Sequence, residues 1–225
     1  MSEEAHLGAT PSVPLVSIGL TILAATLLVV GLPLIVAPRS TDQNFAWTID
    51  VSLTAAFLGA CYWTAGAFTL LSVRARTWAC TRVAMPGILV AGTLVLLATL
   101  LHLDRFAMDS ARGWIWLILY AGILPGTLLL LAVQRRARRV DPAVLRPLER
   151  WSTAILAGAG AGVLTFGAAL FAVPQDSAGW WPWPLTEVTA RMIGAWLAAL
   201  GVTLLAVAIH GLRSAQLALS TRVAA

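Results

Sequence analysis

The stretch PLVSIGLTILAATLLVVGLPLIVA, Pro14–Ala37, decides the fold. It has no charged side chain and no polar face, so as a helix it has nothing to offer water. About 20 such residues are enough for a helix to cross the hydrocarbon core of a bilayer. Five further runs have the same character: Thr48–Val73, Val83–Leu103, Gly113–Val133, Trp151–Val173 and Leu185–Leu212. Short polar, or Pro- and Trp-rich, segments separate them. The expected fold is all-α, a polytopic membrane protein of six transmembrane helices in three in–out–in hairpins, with residues 1–225 as one transmembrane domain.

Composition agrees, since 59% of residues are hydrophobic and only 11% charged, against roughly 25% charged in soluble domains. The leader MSEEAHLGATPS is acidic where a signal peptide is basic, so the first run is expected to stay as a membrane helix. All 15 basic residues are arginine. Without lysine there is no Schiff base for retinal or pyridoxal chemistry and no P-loop. Cys61 and Cys80 would lie roughly 28 Å apart along helical chain, beyond disulfide reach.

Arginine placement sets the orientation. Eleven arginines fall on one side: Arg74, Arg76, Arg82, Arg135, Arg136, Arg138, Arg139, Arg146, Arg150, Arg213 and Arg222. Only Arg39, Arg105, Arg112 and Arg191 fall on the other. Both termini are therefore expected in the cytoplasm, with the chain in a bacterial inner membrane.

The outer hairpins resemble each other. Gly31, Leu34, Pro38 and Trp47 match Gly167, Leu170, Pro174 and Trp183 at an offset of 136. After a one-residue slip, Thr54, Ala55, Gly59, Ala60, Gly66 and Leu70 match Thr189, Ala190, Gly194, Ala195, Gly201 and Leu205. All hairpins run in–out–in, so the expected repeat is parallel. The pairs Gly122/Gly126 and Gly158/Gly162 have helix-packing spacing, and internal packing is the first expectation for them.

Eight of the ten tryptophans fall toward the arginine-poor side. Trp47, Trp114, Trp116 and Trp180 suit an interfacial belt. Trp63 and Trp196 sit nearer mid-depth, where an indole N–H needs a partner. A packed aromatic core and a pocket for an apolar ligand both fit them. The segments WWPWPLTEVTARMIGAW (Trp180–Trp196) and LLHLDRF (Leu100–Phe106) resemble uncharacterised multi-pass membrane proteins of GC-rich bacteria. That resemblance implies a membrane fold and brings no activity, cofactor or catalytic residue.

Charges gather at the same level. Asp50 is expected in the first turn of helix 2, and Glu187 and Arg191 open helix 6 at i,i+4 spacing. His102, Asp104 and Arg105 close helix 3. Acids at helix starts and bases at helix ends suit the helix dipole, and Thr48 and Thr186 are candidate N-caps. As candidate ligand-binding side chains these charges join three indoles, giving Asp50, Trp63, His102, Asp104, Arg105, Trp183, Glu187, Arg191 and Trp196. Arg135, Arg136, Arg138 and Arg139 are candidate contacts for anionic lipid headgroups.

Haem would need two histidines at one depth, whereas His102 and His210 stand at opposite ends of their helices. There is no Gly-x-Ser-x-Gly or His-Glu-x-x-His motif and no paired intramembrane carboxylate, so no catalytic residue is assigned. No helix centre carries an ionisable group, as ion-coupled pumping normally requires. No cofactor, metal or nucleic-acid partner is expected. Two functions remain. The first is a non-enzymatic accessory or scaffold subunit of a membrane complex, or a homo-oligomer. The second is binding or transport of a lipid-like or small polar ligand through an outer-leaflet, Trp-lined cavity.

Overall fold

The computed structural model describes residues 12–75, 78–136 and 148–223. Six long helices carry the fold: α1 (Pro14–Val36), α2 (Ser52–Arg74), α3 (Trp78–Leu101), α4 (Ala111–Arg136), α5 (Arg150–Ala172) and α6 (Glu187–Val223). Each is long and apolar enough to cross a membrane. The chain is therefore a multi-pass helical membrane protein. Helices are the economical solution because every backbone N–H and C=O is satisfied within the segment, where lipid offers no partner.

Hydrogen bonds tie the connections together at two ends of the bundle. At one end the Val13 N–H donates to Gln134 Oε1 at 2.9 Å, and the Ser12 and Thr81 hydroxyls meet at 3.0 Å. These bonds join the start of α1 to the end of α4 and the start of α3. At the other, arginine-poor end, the Ala107 N–H donates to the Ala46 carbonyl at 2.9 Å. That bond ties the α1–α2 connection to the α3–α4 connection, where Trp47 and Phe106 form an isolated antiparallel bridge.

The same tie corrects the expected start of helix 2. Thr48 is exposed and caps nothing, and α2 begins at Ser52 behind Val51 with no side-chain cap. The Trp47–Phe106 bridge and an Ile49 N–H bond to Thr41 Oγ1 at 2.8 Å hold the chain out of helix. Asp50 thus precedes the helix rather than sitting in its first turn. Thr186 does cap α6, with its Oγ1 accepting from the Thr189 N–H at 3.3 Å and Thr189 Oγ1 accepting in return from the Thr186 N–H at 2.9 Å. Helix α3 begins at Trp78, before its expected start, and α6 runs to Val223, past its expected end, because hydropathy marks only the lipid-spanning part of a helix.

In the bundle α1 lies against α2, α5 against α6, and α3 between α6 and α4. Half of the α6 membrane window is buried, against 17% for α4 and for α5, so α6 is central and α4 and α5 face outward. Among the described residues three glycine pairs approach backbone to backbone. A Cβ on Gly31 would lie 3.2 Å from the Gly59 carbonyl oxygen, and one on Gly59 would lie 3.2 Å from that of Gly31. The reciprocal distances for Gly167 and Gly194 are 2.8 and 2.6 Å, and those for Gly160 and Gly201 are 3.0 and 2.7 Å. Close approach of this kind supplies the van der Waals contact that holds helices together in lipid.

Gly122, Gly126, Gly158 and Gly162 behave otherwise, because a Cβ on any of them would meet nothing within 4 Å. This corrects the expectation of internal packing. An i,i+4 spacing establishes that two glycines share a face but does not say which face. Gly194→Ala is expected to lower stability by about 1–3 kcal/mol through overpacking, whereas Gly162→Ala should be close to neutral. Unfolding in mild-detergent micelles reads the difference; equal effects would contradict this packing.

Candidate functional site: an aromatic interior and a polar rim

The interior of the arginine-poor half is filled with aromatic rings. Phe45 and Trp47, from the α1–α2 connection, pack with Trp116 of α4 at centroid distances of 5.2 and 5.1 Å. Phe106 closes on Trp47 at 5.2 Å. Deeper in, Trp116 meets Tyr120 at 4.5 Å, and Tyr62 of α2 meets Trp196 of α6 at 4.6 Å. Tilted and edge-to-face pairs of this kind each contribute about 0.5–1.5 kcal/mol beyond area burial. Trp47 and Trp116 are each only 4% exposed, which corrects their assignment to an interfacial belt. The bridge to Phe106 folds the Trp47 strand onto the bundle, and Trp116 faces inward on α4. Trp114 and Trp180 are on the surface, as a belt requires.

The deeper polar side-chain atoms of this column pair with one another, whereas the buried Trp47 indole N–H finds no partner among the described residues. The Trp116 indole N–H donates to Thr99 Oγ1 at 3.0 Å, and that hydroxyl donates to the Val95 carbonyl at 2.8 Å. The chain has two tyrosines, Tyr62 and Tyr120, and their hydroxyls bond to each other at 2.5 Å in the buried core. Sequence reasoning missed Tyr120 and Thr99. The available signal was a lone tyrosine in each of two apolar helices, each with a hydroxyl that lipid cannot satisfy.

The nine candidate binding residues separate into groups. His102, Glu187 and Arg191 come together with Gln175. The Arg191 guanidinium lies 2.5 Å from His102 Nε2 and 3.6 Å from Glu187 Oε2, while Gln175 Nε2 donates to Glu187 Oε1 at 2.8 Å. This cluster fastens the end of α3 to the start of α6. Burial, and then the facing Arg191 charge, hold the His102 pKa below the usual histidine range, while Glu187 and Asp104 pull it back up and Arg105 lowers it. A neutral His102 presents an Nε2 lone pair to the guanidinium. Asp104 and Arg105 pair with each other at 3.2 Å, both exposed.

Asp50 lines a cleft of about 240 Å³ with Thr54, Thr186, Thr189 and the apolar Ile49 and Leu185. The Trp183 indole N–H donates to Thr54 Oγ1 at 2.8 Å and steadies one wall. Trp196 is buried against Tyr62 and Trp63 is 43% exposed on the outside of α2, so these two do not line a common cavity. Arg135 and Arg136 are exposed at the end of α4; Arg138 and Arg139 lie outside the described residues. Among the described residues no three His, Cys, Asp or Glu side chains converge.

The arrangement is a helical membrane bundle with a ring-filled half and a polar rim. No protein-family model matches the chain, and no curated protein or solved structure matches it either.

Tyr62→Phe alone leaves the Tyr120 hydroxyl unpaired and is expected to cost about 1–3 kcal/mol. Tyr62→Phe with Tyr120→Phe should cost less than the sum of the singles, and a double-mutant cycle with zero coupling would contradict the pairing. His102 titrates lower in the folded chain than its ordinary 6.5, so the unfolded chain takes up its proton first. Stability should therefore fall as pH drops below 6.5, level off under the folded pKa, and lose this dependence in His102→Gln. Detergent unfolding across pH 4.5–7.5 is the check; an unchanged pH profile in the variant would refute it.

Proposed function

We propose that this chain is a non-enzymatic accessory or scaffold subunit of a membrane complex. The observation that carries the reading is a contrast between inside and outside. The interior that a transported or bound molecule would use is packed with Trp47, Trp116, Tyr62, Tyr120 and Trp196. Meanwhile Gly122, Gly126, Gly158 and Gly162 stand open on the two least buried helices. In lipid, small residues at this spacing let a second helix approach closely.

The arginine imbalance supports both termini in the cytoplasm and residence in a bacterial inner membrane. Arg135, Arg136, Arg138 and Arg139 then meet anionic headgroups, worth about 1 kcal/mol each near the surface. We read α1–α2 and α5–α6 as two parallel copies of one module. Supporting this, the Gly31–Gly59 and Gly167–Gly194 approaches join residues at equivalent positions. Two turns away Gly66 lies against Leu28 and Ala24, and Gly201 against their equivalents Leu164 and Gly160. The helix ends agree as well: φ and ψ are −132° and 58° at Ala37, and −128° and 62° at Val173.

The second reading, binding of a small polar ligand, rests on the Asp50–Thr54–Thr189 cleft. Its volume of about 240 Å³ is small beside ordinary ligand pockets, which span roughly 300–1,000 Å³.

Purified in mild detergent from its own membrane, the chain is expected to run in a particle larger than the monomer. Gly158→Leu with Gly162→Leu should release it as a monomer of unchanged stability. A monomeric parent that retains a small molecule, and loses it in Asp50→Ala, would favour the second reading and sink the first.

A further inference from the structure

The two modules differ in what covers them. On α6 the face bearing Ala195, Ala198 and Ala199 is buried, and Gly87 of α3 packs directly on Ala199 and Thr203. Residues in the equivalent places on α2 are Ala60, Trp63, Thr64 and Phe68, and all four are exposed. The Thr64 hydroxyl forms no hydrogen bond among the described residues, whereas the hydroxyls of Thr21, Thr26 and Thr165 each bond back to a carbonyl of their own helix.

The rim shows the same difference. Gln175, Glu187 and Arg191 hold the His102 end of α3 against α6. Their equivalents Arg39, Ser52 and Ala56 line an open cleft of about 460 Å³ beside α2. Arg39 is exposed and makes no ion pair among the described residues.

We propose that this α2 face, with the Arg39 cleft at its end, is the seat for one transmembrane helix of a partner protein, antiparallel to α2, with a carboxylate at its C-terminal end. The inference rests on the scaffold reading and on the equivalence of the two modules. Direction follows from α3, which lies antiparallel to α6 and ends at His102 beside the polar cluster. The carboxylate follows from Arg39, an exposed cation that makes no ion pair among the described residues and that an acid on the incoming helix would complement. A second copy of this chain fits poorly. Joined through α2 about an axis along the membrane normal, two copies would bring one Arg39 toward the other.

The probe is a synthetic peptide of residues 78–105 of this chain carrying His102→Asp, added to the full chain in phosphatidylcholine vesicles. The full chain carries a benzophenone side chain at position 64, on the proposed seat, or at position 22, on the exposed surface of α1. Cross-linking is expected at 64 and not at 22. Arg39→Ala should weaken peptide binding by about fivefold, the worth of one solvent-accessible ion pair, and the peptide with native His102 should depend less on Arg39. Equal cross-linking at the two positions, binding indifferent to Arg39→Ala, or cross-linking of chain to chain through position 64 would each overturn the seat. The scaffold reading fails separately: if the seat is lost while Gly158→Leu with Gly162→Leu still dismantles the larger particle, that reading stands.

Discussion

In hydrocarbon, apolar side chains gain nothing by leaving lipid for one another, so the bundle depends on how closely its backbones approach. Gly31 against Gly59 on one crossing, and Gly167 against Gly194 with Gly160 against Gly201 on the other, are where that approach is made. There the absent side chains bring neighbouring turns into direct contact, and dispersion attraction acts over many atoms at once. The rest of the architecture follows from these two crossings. They fix α1 on α2 and α5 on α6. The α6 helix then offers its alanine face to α3, and α3 brings α4 and its aromatic residues to the centre.

Polar chemistry is placed where the crossings leave room for it. Two tyrosine hydroxyls satisfy each other and Trp116 finds Thr99, while the buried Trp47 indole N–H has no partner among the described residues. At the rim, His102 and Glu187 share the Arg191 guanidinium, part of which reaches solvent. Satisfied polar contacts in an otherwise apolar bundle favour one arrangement over its near neighbours. That is a structural role, and it matches a molecule whose open features lie on its outside.

Much of this was legible in the sequence. Pro14–Ala37 alone dictates a membrane helix, and five more runs repeat the argument. The Glu187–Arg191 pairing and the Thr186 cap follow from helical spacing and are present. What local pattern does not contain is facing. Gly158 and Gly162 read as packing residues, yet they look outward, because periodicity groups residues on a face without choosing its neighbour. Trp47 and Trp116 read as belt residues from their position near helix ends, yet a backbone bridge between two connections draws them inside. Their burial depends on a contact between segments some sixty residues apart, Trp47 with Phe106, which no local window includes. Trp63 and Trp196 occupy the same turn of their helices, but only the second faces the interior, where it packs on Tyr62.

The central claim is that this bundle is closed inside and open for protein contact outside. A density map of the chain extracted from its native membrane into nanodiscs tests it most directly. The account predicts Tyr62, Tyr120 and Trp196 in mutual contact, with an additional helix against the outward glycines of α4 or α5. Ligand density between Tyr62 and Trp196, with those glycine faces bare, would contradict it.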